Sequence, residues 1–176
     1  MTHTFNSRNS SNFSAAATPT KRWQSIAMGS LGFWVSGSLI LDLVIMPTLW
    51  TTGMMESSGF ASASYSIFWI FNRVELLCAA VTLSSVWALS KGSQLNADTN
   101  RKLLAGAVML MAIALSYTFV LTPYMSGLGL DLDVLATIKS LPAEMNQMHL
   151  LYWVLEASKL GIAGLLLSLC NRSIAQ

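Results

Sequence analysis

Four apolar runs, at about residues 26–50, 67–89, 103–121 and 145–170, constrain this chain more than any other feature. Each is close to the ~20 residues that an α-helix needs to cross a ~30 Å hydrocarbon core. The alternation of a membrane β-strand is absent, which argues against a closed barrel. Composition agrees: 53% of the residues are hydrophobic and 10% charged, with a mean hydropathy of +0.54. A soluble domain carries about 25% charged residues. The expected fold class is therefore all-α and integral to a membrane. A four-transmembrane-helix bundle at 23–172 would follow a disordered basic N-terminal tail at 1–22, which a transit segment would also resemble.

The flanking charges predict orientation. Arg8, Lys21, Arg22, Lys91, Arg101, Lys102 and Arg172 fall on one side of a four-span topology. The other side has Lys139 alone, with Glu56, Asp131, Asp133 and Glu144. The positive-inside rule then puts both termini on the cytoplasmic side of a bacterial inner or thylakoid-type membrane. The net charge of +2 is an asymmetry across a bilayer, and no nucleic-acid partner is expected. Cys78 and Cys170 should lie at different depths and are poor disulfide partners.

Loops 51–66 and 90–101 are short and rich in small or polar residues, as expected between antiparallel neighbours. The longer loop 123–147 carries Leu130, Leu132, Val134, Leu135, Ile138 and Leu141, which suit a short helix at the membrane surface. Pro142 and Glu144 suit the first turn of the last helix. A weak repeat joins "VIMPTLWTTGM" to "VLTPYMSGLGL", each followed by a helix bearing a glutamate, Glu75 and Glu156. Two related helical hairpins would produce it, as would chance similarity between apolar helices. Gly32, Ser36, Gly106, Ala157 and Gly161 are expected at close helix contacts.

Six ionisable residues fall inside the spans: Asp42, Arg73, Glu75, His149, Glu156 and Lys159. A charge at the centre of a membrane helix costs roughly 2.5–3.5 kcal/mol on insertion scales, so each is expected to face inward towards a partner. At 100° per residue, His149, Tyr152, Glu156 and Lys159 share an arc of about 80°, and Glu156 can reach Lys159 three residues on. Asn72 shares a face with Glu75, while Arg73 points elsewhere, with Asp42 as its expected partner. Trp50, Trp69, Tyr124 and Trp153 suit an interfacial belt. The buried polar cluster is thus read as Asp42, Arg73, Glu75, Tyr152, Glu156 and Lys159.

Met145, Met148 and His149 share a helical face and are soft donors of the kind that hold Cu(I), with Met54 and Met55 as further candidates. Ten methionines in an apolar chain make such spacing common by chance. His149 could also ligate haem, but the second histidine, His3, is in the tail expected on the opposite side. Nucleophile–base motifs, phosphate loops and hydrolytic carboxylate pairs are absent, so nothing points to an enzyme.

The runs "DLVIMPTLW", "FNRVELL", "TPYM" and "MHLLYWVLEASKLG" resemble the transmembrane-protein-205-like four-helix family of unknown function, over about residues 24–170. His149 and Pro47 are the positions that the resemblance carries over, and "GFASASYSIFWIFNRVELL" is similar to a cyanobacterial or plastid-type branch. The architecture is more remotely similar to copper-resistance D and protoporphyrinogen-oxidase J proteins, an analogy of fold that transfers no function. The leading expectation is a non-enzymatic accessory or assembly subunit with a structural polar cluster. The alternative is a small proton or metal-ion transporter, or a copper- or haem-binding protein, using His149 and Glu156. The bilayer is the expected partner, with other membrane subunits or a second copy.

Overall fold

The computed structural model describes residues 19–54, 59–92, 96–127 and 143–172. The first helix, α1, runs Pro19–Ile40, passes through a π-helical turn at Leu41–Ile45 and continues as Met46–Thr51. Helix α2 is Phe60–Gly92. Helix α3 runs Ala97–Ser116, passes through a second π-helical turn at Tyr117–Leu121 and continues to residue 127. Helix α4 is Ala143–Arg172. All four are long and apolar enough to cross a membrane, and the chain is a four-helix membrane protein. Residues 19–22 of the expected disordered basic tail are instead the first turn of α1; the rest of that tail and the expected surface helix lie outside the described residues.

Helix α1 packs on α2, α2 on α3, α3 on α4 and α4 back on α1, closing a ring. Each helix contributes an inward seam with steps of three and four residues. In α1 the buried positions are Gln24, Ala27, Leu31, Trp34, Ser38 and Leu41; in α2 they include Asn72, Glu75, Ala79, Thr82, Val86 and Leu89. Helix α3 contributes Leu103, Ala107, Leu110, Ala114, Tyr117 and Leu121, and α4 contributes Glu156, Lys159, Ala163, Leu166 and Cys170. Such a 3.5-residue repeat keeps one narrow stripe facing the neighbours along the whole length. The outward faces are apolar, with Leu43, Leu77, Phe119 and Leu150 each at least 65% exposed, as suits a surface solvated by lipid.

Lys21, Arg22, Lys91, Arg101, Lys102 and Arg172 are exposed and gather at one end of the bundle, here the basic end. The interior of that half is mostly apolar, built on Leu31, Val86, Leu103, Leu110 and Leu166. Trp50, Trp69, Tyr124 and Trp153 are all exposed towards the opposite, aromatic end. Ionic residues occupy the interior of this half.

The two π-helical turns have the same cause. Pro47 and Pro123 each lie two residues past the turn, and a proline has no N–H for the carbonyl four residues back and crowds it sterically. The backbone widens one turn earlier: Met46 N–H bonds the Leu41 carbonyl and Thr122 N–H bonds the Tyr117 carbonyl, each five residues back. The widening adds one residue to the seam, so both Leu41 and Asp42 face inward. The repeated "VIMP" and "VLTP" runs therefore mark matching distortions in α1 and α3.

Small residues divide into two groups. Gly106 lies against α4, where an added Cβ would come 2.9 Å from Leu166 Cδ2. Gly32 and Gly161 have nothing within 4 Å of that position, so the expected close contact there is not made among the described residues.

Candidate functional site: a buried carboxylate–lysine centre

The centre is built where the four seams pass from apolar to polar. Glu75 and Asn72 share the inward face of α2, and Glu156 and Lys159 share that of α4. Lys159 Nζ lies 2.7 Å from Glu156 Oε2 and also pairs with Glu75 Oε1, so one ammonium joins carboxylates from two helices. All three side chains are at least 97% buried. The Lys159 ammonium also lies 5.2 Å from the Tyr117 ring centroid and 6.0 Å from that of Trp34, within range for attraction by the ring faces.

Helices α1 and α3 supply neutral donors. Trp34 Nε1 donates to Glu75 Oε1 over 2.9 Å, and Ser38 Oγ donates to the same oxygen over 3.2 Å. Tyr117 OH donates to Glu156 Oε2 over 3.1 Å. Tyr152 OH donates to Asp42 Oδ1 over 2.8 Å, bringing the α1 π turn into the network. The Tyr117 and Tyr152 rings pack with centroids 5.6 Å apart, and Phe68 meets Tyr152 edge-on. Asn72 secures the second π turn, donating to the Tyr117 carbonyl over 3.3 Å and to Thr122 Oγ1 over 2.6 Å.

Among the described residues, two carboxylate oxygens are buried without a hydrogen-bond partner, Asp42 Oδ2 and Glu156 Oε1. The centre therefore holds three buried carboxyl groups and one ammonium, which pairs with the two glutamates, and one oxygen is unused on each of two carboxyls.

The sequence-predicted residues divide. Asp42, Glu75, Tyr152, Glu156 and Lys159 come together, and the Glu156–Lys159 pairing forms as the three-residue spacing requires. Arg73 does not join them, which corrects the expected Asp42–Arg73 pair. It is exposed on the outer face of α2, with its guanidinium 3.9 Å from the Trp69 ring centroid, and Asp42 is met by Tyr152 instead. The reason is angular: Arg73 sits one position past Asn72 and two before Glu75, so a seam that buries those two turns Arg73 outward.

His149 is also exposed, beside Gln147, Leu150 and Trp153 in a shallow surface depression, and does not continue the buried stripe. Met148 packs inward against Ile113, Tyr117 and Leu121, so the proposed copper donors Met148 and His149 face different surroundings. The side chain of Met145 and all of Met55 lie outside the described residues. Among the described residues, no group of three or more His, Cys, Asp and Glu is placed to hold a metal.

Trp34, Ser38 and Tyr117 were missed. Stepping back three and then four residues from Leu41 reaches Ser38 and Trp34, and counting six back from each proline reaches Leu41 and Tyr117. Those two rules would have found them.

Compared with known proteins, the chain matches no family model, and neither a curated protein nor a solved structure matches it significantly.

Proposed function

We propose that this membrane protein is a proton-exchanging module, a small transporter or transporter subunit whose buried centre takes up and releases protons. The surplus of carboxyl groups over ammonium carries the reading. The expected Arg73 contribution would have brought the cluster close to neutral. With Arg73 on the lipid face, three ionised carboxylates and one lysine would leave a charge of about −2 away from water, which is costly. Protons resolve that imbalance, and Asp42 Oδ2 and Glu156 Oε1 are the open positions for them.

The exchange route runs from the aromatic end. Asp42 is outermost, Tyr152 and Tyr117 follow, and Glu156, Lys159 and Glu75 are innermost. The seven-to-one bias of basic residues favours both termini on the cytoplasmic side, so protons would enter from the opposite face of a bacterial inner or thylakoid-type membrane. Release towards the basic end would cross an interior with few polar groups, among them Ser30, Thr82, Ser85 and Gln24. A rearrangement of the bundle, or a partner subunit, would open that half. Kinship with the transmembrane-protein-205-like family belongs to this proposal and adds no activity to it.

Proteoliposomes under an imposed potential, with a pH-sensitive dye inside, test the reading. Wild type should carry a proton flux that Glu156→Gln and Asp42→Asn abolish and His149→Ala leaves intact. Equal dye traces from wild type, Glu156→Gln and empty liposomes would overturn it. That result would favour the second reading, an accessory subunit whose cluster is structural, which is supported by the direct pairing of Lys159 with both glutamates.

A further inference from the structure

Arg73 is a full charge on the outer surface of a membrane helix, and none of the ion pairs among the described residues includes it. Eighteen residues separate it from Lys91 at the basic end, about 27 Å of helix. The hydrocarbon core is ~30 Å thick, so with Lys91 at one interface Arg73 reaches the headgroup level of the other. Trp69 lies one turn further out, 44% exposed, at the depth that interfacial tryptophans favour.

The surface around Arg73 is concave. A cavity of about 190 Å³ lies between α2 and α3, with Tyr65, Trp69, Asn72 and Arg73 on one wall and Thr118, Thr122 and Pro123 on the other. Arg73 Cζ lies over the Trp69 ring, 3.9 Å from its centroid, and a guanidinium held against an aromatic face keeps N–H donors for an anion. Phe119, 65% exposed, lines the edge of the cavity itself, and beyond it towards the basic end the surface turns apolar, with Leu77 67% and Leu115 41% exposed. Polar cradle and apolar track follow one another along the membrane normal.

We infer that this cleft is a binding site for a phospholipid of the leaflet at the aromatic end. Arg73 holds the phosphate against Trp69, with the Tyr65 and Thr122 hydroxyls at the rim, and an acyl chain follows Leu77 and Phe119. Charge complementarity selects the phosphate, and the apolar track selects a lipid over a free anion. The site borders the buried centre at Asn72 and Thr122 and does not depend on that centre's proposed function.

Native mass spectrometry of the purified protein, mixed with dioleoyl phosphatidylglycerol or with chain-matched dioleoylglycerol, tests the site. Wild type should retain one phosphatidylglycerol and no dioleoylglycerol. Arg73→Gln should weaken retention roughly tenfold or more, the scale of one lost charge-assisted contact, and Arg73→Lys should weaken it less. Equal retention of the two lipids overturns the proposal, as does unchanged retention by a monodisperse Arg73→Gln. Displacement of the lipid by millimolar inorganic phosphate overturns the commitment to a lipid in favour of a free anion. If Arg73→Gln does not fold, Trp69→Leu, which keeps the charge and removes its platform, should show the same loss, and unchanged retention there counts against the site.

Discussion

Trp34 donates its indole N–H to Glu75 Oε1 over 2.9 Å, joining α1 to α2 at the point where the bundle interior changes from apolar to ionic. The same carboxylate oxygen receives Ser38 and pairs with Lys159 from α4. Glu75 is thus the node at which three helices meet. Its position sets the order of effects expected from substitutions.

Lys159→Met should be the most damaging single change in the centre. It strands two buried carboxylates at once, and removing one partner of a buried pair costs about 3–5 kcal/mol. Thermal unfolding in mild detergent should show the drop. Adding Glu75→Gln and Glu156→Gln to Lys159→Met should recover most of it, because the triple variant no longer strands the two carboxylates that Lys159 served. A single Lys159→Met as stable as wild type would refute the bridging role of this lysine.

Trp34→Phe keeps the ring but removes the donor to Glu75. Hydrogen bonds to charged groups contribute about 1.5–3 kcal/mol, and a loss in that range is expected. Ser38→Ala should cost less, since its 3.2 Å bond reaches an oxygen already served by Trp34 and Lys159. Reversal of that order in chemical unfolding would show that Glu75 is held chiefly through Ser38.

Asp42→Asn is expected to be neutral or stabilising. The amide oxygen can still accept from the Tyr152 hydroxyl, while the substitution removes one carboxylate from a centre that has too many. Tyr152→Phe should destabilise by about 1–3 kcal/mol, because it leaves Asp42 with no donor. The two melting temperatures should therefore move in opposite directions, or Asp42→Asn should not move at all. Equal losses in both would mean that Asp42 needs its charge.

Gly106→Ala should be mild, because the flexible end of Leu166 is what the new Cβ meets. Gly106→Leu overfills the α3–α4 contact and should cost about 1–3 kcal/mol. Leu166→Ala, added to Gly106→Leu, should restore part of it. Failure of that rescue would place the crowding elsewhere on α4.

Much of the architecture was legible because lipid imposes a simple requirement: every buried backbone group must be satisfied within its own helix, so length and hydropathy alone define four spans. The Glu156–Lys159 pair was legible for the same local reason, since three residues on one helix fix the geometry. Arg73 and His149 were misplaced because a charge in an apolar run predicts only that it must avoid lipid. It does not distinguish a buried partner from a headgroup at the end of a long side chain.

The sequence by itself determined the four helices, the basic end, and the inward direction of Glu75, Glu156 and Lys159. These follow from period, length and charge within single segments. Only the tertiary structure decided that one lysine serves two glutamates, that Trp34 and Tyr117 complete the centre, and that Arg73 lies outside it. Each of those depends on the rotation of one helix against another. Rotation is set by seam packing between helices, which is not visible within a single span.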